Sequence, residues 1–166
     1  MMDRRLVLAG IGAGAVLAST TIAEAATASP RNLAQQFAAT LTAHNIDAFA
    51  ALFAEDYINH QTSAAAPPPA AGVTPKQRTV AIFAARLKGI PDLKVAIEVL
   101  VATKDHVAAS FVYTGTHTQQ GVLLGVPPTG KSLRFTSCDI FRVAGGKIAE
   151  HWGMGDIAGV LAQIKG

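Results

Sequence analysis

Asp139, Glu150, His151 and Trp152 stand in a stretch, Ser132 to Asp156, that otherwise alternates apolar and polar residues on both sides of Gly145-Gly146. Period-2 alternation around a glycine pair is the pattern of two half-buried strands joined by a tight turn. Polar groups among residues that want a dry core must be paired or must face a polar-lined interior. Asp139 is the sharpest of them. Flanked by Phe135, Ile140 and Phe141, its carboxylate is partly desolvated and fit to act as a general base or acid. Pairing with Arg134, Arg142 or a histidine of a neighbouring strand is the competing structural role. The register of the hairpin matters here: a simple two-residue turn sets Asp139 opposite Trp152, whereas one bulged residue sets it opposite Gly153.

Histidine can serve as base, acid or ligand near neutrality, so the five histidines are weighed one by one. His44 and His106 fall at element ends and are expected to face solvent. His60, His117 and His151 lie on or beside strands and are the better candidates. No H-x-x-x-H or H-E-x-x-H spacing is present, so no metal site is expected. Cys138 neighbours Asp139 on an alternating strand and faces the other way, which suits a small core residue better than a nucleophile. Ser110, Ser132 and Ser137 lack a G-x-S-x-G context, which disfavours a serine hydrolase. Glu150 and Arg142 read as a cross-strand surface pair.

The elements that must position these residues follow from the pattern of the chain. Pro30 opens a helix with Leu33, Phe37 and Leu41 on one face, ending at His44-Asn45. Asp47 is then expected to cap a second helix bearing Phe49, Leu52 and Phe53. Tyr57 to His60 reads as a short strand. Gln61 to Val73, rich in alanine around Pro67-Pro68-Pro69, reads as a surface loop, a plain linker or a lid. Thr74 and Pro75 start a third helix, with Val80, Phe83, Ala84 and Leu87 on its apolar face and Gly89 as its stop. Leu93 to Val101 and His106 to His117 form two strands, the first placing Leu93, Val95, Ile97, Val99 and Val101 on one face. Ile157 to Ile164 closes the chain as a short helix. Helices first and consecutive strands afterwards predict an α+β domain, its helices covering one face of a curved, mostly antiparallel sheet that encloses a cavity.

Residues 1–28 read as a leader: Arg4-Arg5, an uncharged apolar run from Leu6 to Ala18, and small residues ending in A-x-A patterns. The run is short of the roughly 20 residues that span a bilayer, so no stable membrane span is expected once it is removed. Export to the periplasm or the extracellular space is therefore expected, by the general route or by the twin-arginine route that Arg4-Arg5 resembles. Residues 29–166 then form one domain. Formal charge is +3, from 14 Lys and Arg against 11 Asp and Glu, and the leader holds two of each sign, so the balance is unchanged by its loss. Without a basic run or interleaved aromatics this does not point to nucleic acid. One cysteine excludes an internal disulfide, and the core alone must hold the fold.

Several stretches together resemble one family. They are Asp47-x-Phe49-x-x-Leu52-Phe53-Ala54-x-Asp56-Tyr57-x-x-His60, Gly115-Thr116-His117, Gly125-x-Pro127-Pro128-Thr129-Gly130-Lys131, Asp139-Ile140-Phe141-Arg142, and Gly146-Lys147-Ile148-x-Glu150-His151-Trp152. In this order they resemble the SnoaL-like polyketide cyclases (ester cyclases) of the NTF2-like superfamily, from about Leu33 to the C-terminus. The resemblance implies a conical α+β barrel with a hydrophobic pocket, a homodimer through the outer sheet face, and cofactor-free aldol chemistry on a small hydrophobic carbonyl compound. It also implies an aspartate directly after the tryptophan, where this chain has Gly153. The catalytic candidates are thus Asp139 with His60 and His117, and the substrate-binding candidates Tyr57, Phe141, Trp152 and Gly153. A protein that only binds a hydrophobic ligand, its cyclase aspartate lost at Gly153, is the alternative.

Overall fold

The computed structural model describes residues 29–61, 70–118, 121 and 123–166. The leader and the centre of the expected lid loop lie outside them. The elements are helix α1 (Pro30–Thr42), helix α2 (Ile46–Ala50), strand β1 (Phe53–Asn59), helix α3 (Pro75–Gly89), strands β2 (Lys94–Ala102), β3 (His106–Thr116), β4 (Ser132–Ala144) and β5 (Lys147–Gly155), and helix α4 (Ile157–Lys165). The strands form one sheet in the order β1-β5-β4-β3-β2, antiparallel except for the β1–β5 pair. This is the expected α+β architecture. None of the described helices is long and apolar enough to cross a membrane.

Capping sets the helix starts. Ser29 accepts from the Asn32 amide at the head of α1, and Thr74 and Gln77 form a reciprocal capping box ahead of Pro75 on α3. The second helix is capped by Asn45, two residues before the expected Asp47, because the Asn45 side chain reaches the Ala48 amide. It is also shorter than expected: Phe53 already belongs to β1, where its backbone joins the sheet opposite Ile148.

One face of the sheet carries the core. Phe37 of α1 is its hub, with ring centroids at 5.1 Å from Phe49, 5.4 Å from Phe83, 5.0 Å from Phe111 and 5.2 Å from Phe141. Such tilted and edge-on aromatic contacts add to the burial of large apolar surfaces. The outer face departs from expectation. A bulge between Ile97 and Val99 in β2 reverses the alternation, so Leu100 and Ala102 turn to the core while Val99 and Val101 face outward. With Ala108, Cys138, Ile140, Trp152 and Met154 they line an apolar outer groove of about 500 Å³. Cys138 is therefore exposed rather than a core residue.

Asp92 ties the turn after α3 to the end of β3, its carboxylate accepting from the Thr116 amide at 2.6 Å and the Thr116 hydroxyl at 2.9 Å. The amide bond is the main cause that holds this carboxyl below its ordinary 3.8. A folded-state value below the unfolded one means that the contribution is complete above the unfolded value and fades as pH falls through the folded one. Asp92→Asn should therefore cost about 1 kcal/mol at pH 7, a modest sum because the site is exposed, and nothing once the wild-type carboxyl is protonated. Thermal unfolding of both proteins as pH is lowered from 7 checks this, with the gap between their midpoints narrowing in acid as the expected result.

Candidate functional site

The turn at Gly145-Gly146 has both glycines at positive φ, 56° and 71°, which suits a two-residue hairpin loop. A bulge follows at once: Arg142 pairs with Glu150 but Val143 with Ile148, leaving Ala149 as the extra residue of β5. That bulge puts Asp139 opposite Gly153 and Phe141 opposite His151. Asp139 and His151 become diagonal neighbours on the inner face, each about one-tenth exposed at the side chain.

Asp139 Oδ1 lies 2.7 Å from His151 Nε2. A carboxylate oxygen can only accept, so the imidazole carries its proton on Nε2 in this contact. The other oxygen, Oδ2, accepts from Ser137 Oγ at 2.5 Å, and Tyr113 Oη stands 3.4 Å from the same Ser137 oxygen. Phe141 packs against the His151 ring at 5.3 Å, fixing it from below.

Tyr57 of β1 completes the cluster. Its hydroxyl oxygen is buried without a hydrogen-bond partner. Thr79 of α3 stands close enough to ease its ionisation but outside hydrogen-bond geometry, and the Thr79 oxygen accepts from Asn59 Nδ2. Burial pushes the Tyr57 phenol up to about 12, with the negative charge of Asp139 adding to the rise. Tyr113 is likewise pushed up to about 12 by burial, against the pull of Arg86. Both phenols are therefore proton donors at neutral pH.

Gly153 belongs to this arrangement sterically. A Cβ built on it would overlap Asp139 Oδ1 and His151 Nε2 and would sit 2.8 Å from His151 Cε1. The carboxylate and the imidazole use the space in which a side chain at 153 would start.

Of the sequence candidates, Asp139, Tyr57, Phe141 and Gly153 meet on the inner face. His60 and His117 do not join them. His60 lies on the outer side, stacked on Trp152 at 4.4 Å with its Nε2 2.7 Å from Glu150, whose other oxygen takes the Arg142 Nε–H at 2.5 Å. Trp152 therefore lines the outer groove instead of an interior pocket, as strand alternation requires once Asp139 and His151 face inward. His117 is fully buried just beyond the far end of β3, with Nδ1 3.2 Å from Thr129 Oγ1. Along β3 that is eight residues from Ala109, the partner of Asp139, so the two groups are more than roughly 20 Å apart. His151, one of the three better-placed histidines in the sequence, is the one that the expected catalytic set lacks. Its signal is its place two residues before Gly153, which the bulged of the two alternative registers brings opposite Asp139. Among the described residues no three His, Cys, Asp or Glu side chains stand close enough together to hold a metal ion.

Residues 31–164 match the family model described as SnoaL-like polyketide cyclase. No curated protein matches. Among solved structures the chain is similar to IdmH of Streptomyces antibioticus, a candidate polyketide cyclase, at 26% identity and a TM-score of 0.69, covering 82% of this chain and 99% of that one. It is similar in fold to AclR of Streptomyces galilaeus, a candidate hydroxylase, at 21% identity and a TM-score of 0.67, covering 82% of this chain and 80% of that one. It also matches a candidate SnoaL-like polyketide cyclase from Jannaschia sp. CCS1 at 19% identity and a TM-score of 0.64, covering 91% and 97%.

Proposed function

Because the chain belongs to the SnoaL-like polyketide cyclase family, and its inner face holds a buried Asp139–His151 pair beside an unpartnered tyrosine hydroxyl, we propose that it performs cofactor-free acid–base chemistry on a small carbonyl compound. The observation that carries this reading is the pair itself, 2.7 Å between Oδ1 and Nε2. Asp139 takes the proton from a carbon activated by carbonyl groups. His151 and Ser137 hold the carboxylate in place through their N–H and O–H. The developing enolate oxygen faces the Tyr57 O–H, a donor with no protein partner to lose. In a cyclisation the enolate carbon then bonds to a second carbonyl carbon. The resulting alkoxide recovers the proton from Asp139, so no proton or electron is left over. The test is deuterium wash-in from D2O at the activated carbon of acetoacetate and of methyl acetoacetate, followed by NMR. Exchange above the buffer rate is expected for at least one of them, and none with either would remove this reading.

Binding without turnover is the second reading, favoured by one feature: both Asp139 oxygens are already engaged inside a core filled by phenyl rings. Tight ligand binding with no exchange would decide for it.

Export and self-association are part of the proposal. Export rests on the basic start, apolar run and A-x-A ends of residues 1–28. A second copy is the occupant proposed for the outer groove. Val99, Val101, Ile140 and Met154 are 59%, 62%, 44% and 76% exposed there, and a two-fold pairing sets this apolar face against itself. Analytical ultracentrifugation should show a dimer that the Val101→Glu variant converts to monomer; a wild-type monomer at tens of micromolar, roughly the range a standard interface saturates, would dismiss the pairing.

A further inference from the structure

Arg86 of α3 lies over the same inner face, its guanidinium carbon 4.6 Å from the Phe83 ring centre, 5.1 Å from Tyr113 and 5.6 Å from Phe135. Tyr113 and Phe135 are stacked on each other at 4.9 Å and are buried inner-face residues of β3 and β4. The cation is thus held over the sheet by three rings and is only partly open to water. Cation–π attraction engages its charge, and of the three rings only Tyr113 brings a polar atom, its hydroxyl, toward the guanidinium N–H groups. Among the described residues no carboxylate lies within ion-pair distance of it. What the position offers an anion is a planar donor fork, aromatic walls and restricted water.

Its position links it to the acid–base pair. Arg86 acts on the Tyr113 hydroxyl, that hydroxyl stands 3.4 Å from Ser137 Oγ, and Ser137 donates to Asp139. Arg86 and Asp139 therefore flank Tyr113 without pairing with each other. A molecule seated between them meets a fixed cation at one end and the carboxylate base at the other.

We propose that Arg86 anchors a carboxylate of the substrate, so that the compound handled at Asp139 is a small oxo acid and not a neutral ketone or ester. This rests on the acid–base reading of Asp139 given above. A bidentate carboxylate fills the guanidinium edge, and its charge is balanced there instead of repelling Asp139. The enolisable carbon, between the carboxylate and a carbonyl, is thereby directed toward Asp139.

The experiment compares acetoacetate with methyl acetoacetate, which share a skeleton and differ by the charge. Dissociation constants at pH 7 are measured by NMR titration for the wild type and for Arg86→Gln, Arg86→Lys and Asp139→Asn. Wild type should prefer the acid by about tenfold or more, the preference a charge-assisted bond supplies. Arg86→Gln should bring the ratio near one, with Arg86→Lys between. Asp139→Asn should keep the acid preference while losing deuterium exchange. Equal or tighter binding of the ester by wild type, binding of neither compound, or an undiminished preference in Arg86→Gln overturns the inference. Absence of exchange in wild type with the acid preference intact would instead remove the acid–base reading and leave the anion site standing.

Discussion

Asp139→Asn should lower the exchange rate at the activated carbon by about 10²-fold or more, the span that a positioned general base supplies. Asparagine keeps the shape and one acceptor oxygen, so His151 Nε2–H retains a partner and the fold should lose only about 1 kcal/mol. Asp139→Ala is harsher. It strands the His151 N–H and the Ser137 O–H in a site about one-tenth exposed, and breaking a buried pair from one side costs about 3 kcal/mol or more. Circular dichroism melts together with the NMR exchange rate separate the two losses. A folded Asp139→Asn protein that exchanges at the wild-type rate would exclude Asp139 as the base.

The second large effect is expected at Gly153. Alanine there places a carbon onto Asp139 Oδ1 and His151 Nε2, so the hydrogen bond between them must open or the strands must part. Overpacking of this kind costs about 1 to 3 kcal/mol, and loss of the buried pair adds to it. Gly153→Ala should therefore melt well below wild type, and the His151 Nε2–H signal held by Asp139 should vanish from its NMR spectrum. Gly153→Asp, which supplies the carboxylate that the family resemblance leads one to expect, should fare worse, because it adds a second negative group to occupied space. If either variant matched wild type in stability and kept the His151 signal, the glycine would have no bearing on the pair. Gly153 leaves the space into which Asp139 and His151 fit.

Much of the fold was legible in the sequence because its signals are local. Thr74-Pro75 with Gly89 marks α3 almost to the residue, Gly145-Gly146 marks the hairpin, and Arg142 and Glu150 meet across it as their spacing implies. The misread faces share one cause. Alternation assigns faces only while the register holds, and two bulges break it. In β2 every residue from Val95 to Ala102 except Glu98 is apolar, so the reversal that exposes Val99 and Val101 leaves no trace in the pattern. In β5 the extra Ala149 sets both the Asp139–Gly153 pairing and the reach of His151. Convergence of side chains is a long-range property. Strand pairing carries His60 to the outer face with Glu150 and leaves His117 at the far end of β3, although all three histidines sit on or beside strands. Arg86 gave no signal either, since its three ring contacts come from both α3 and the sheet.

The inner face around Asp139 as the place of chemistry is tested most directly by a crystal structure with a stably enolised 1,3-dicarbonyl such as acetylacetone bound. An enol oxygen within hydrogen-bond distance of Tyr57 Oη, with the central carbon turned to Asp139, is the result this account predicts. Density for the compound only in the outer groove, between Val99, Ile140 and Trp152, would contradict it.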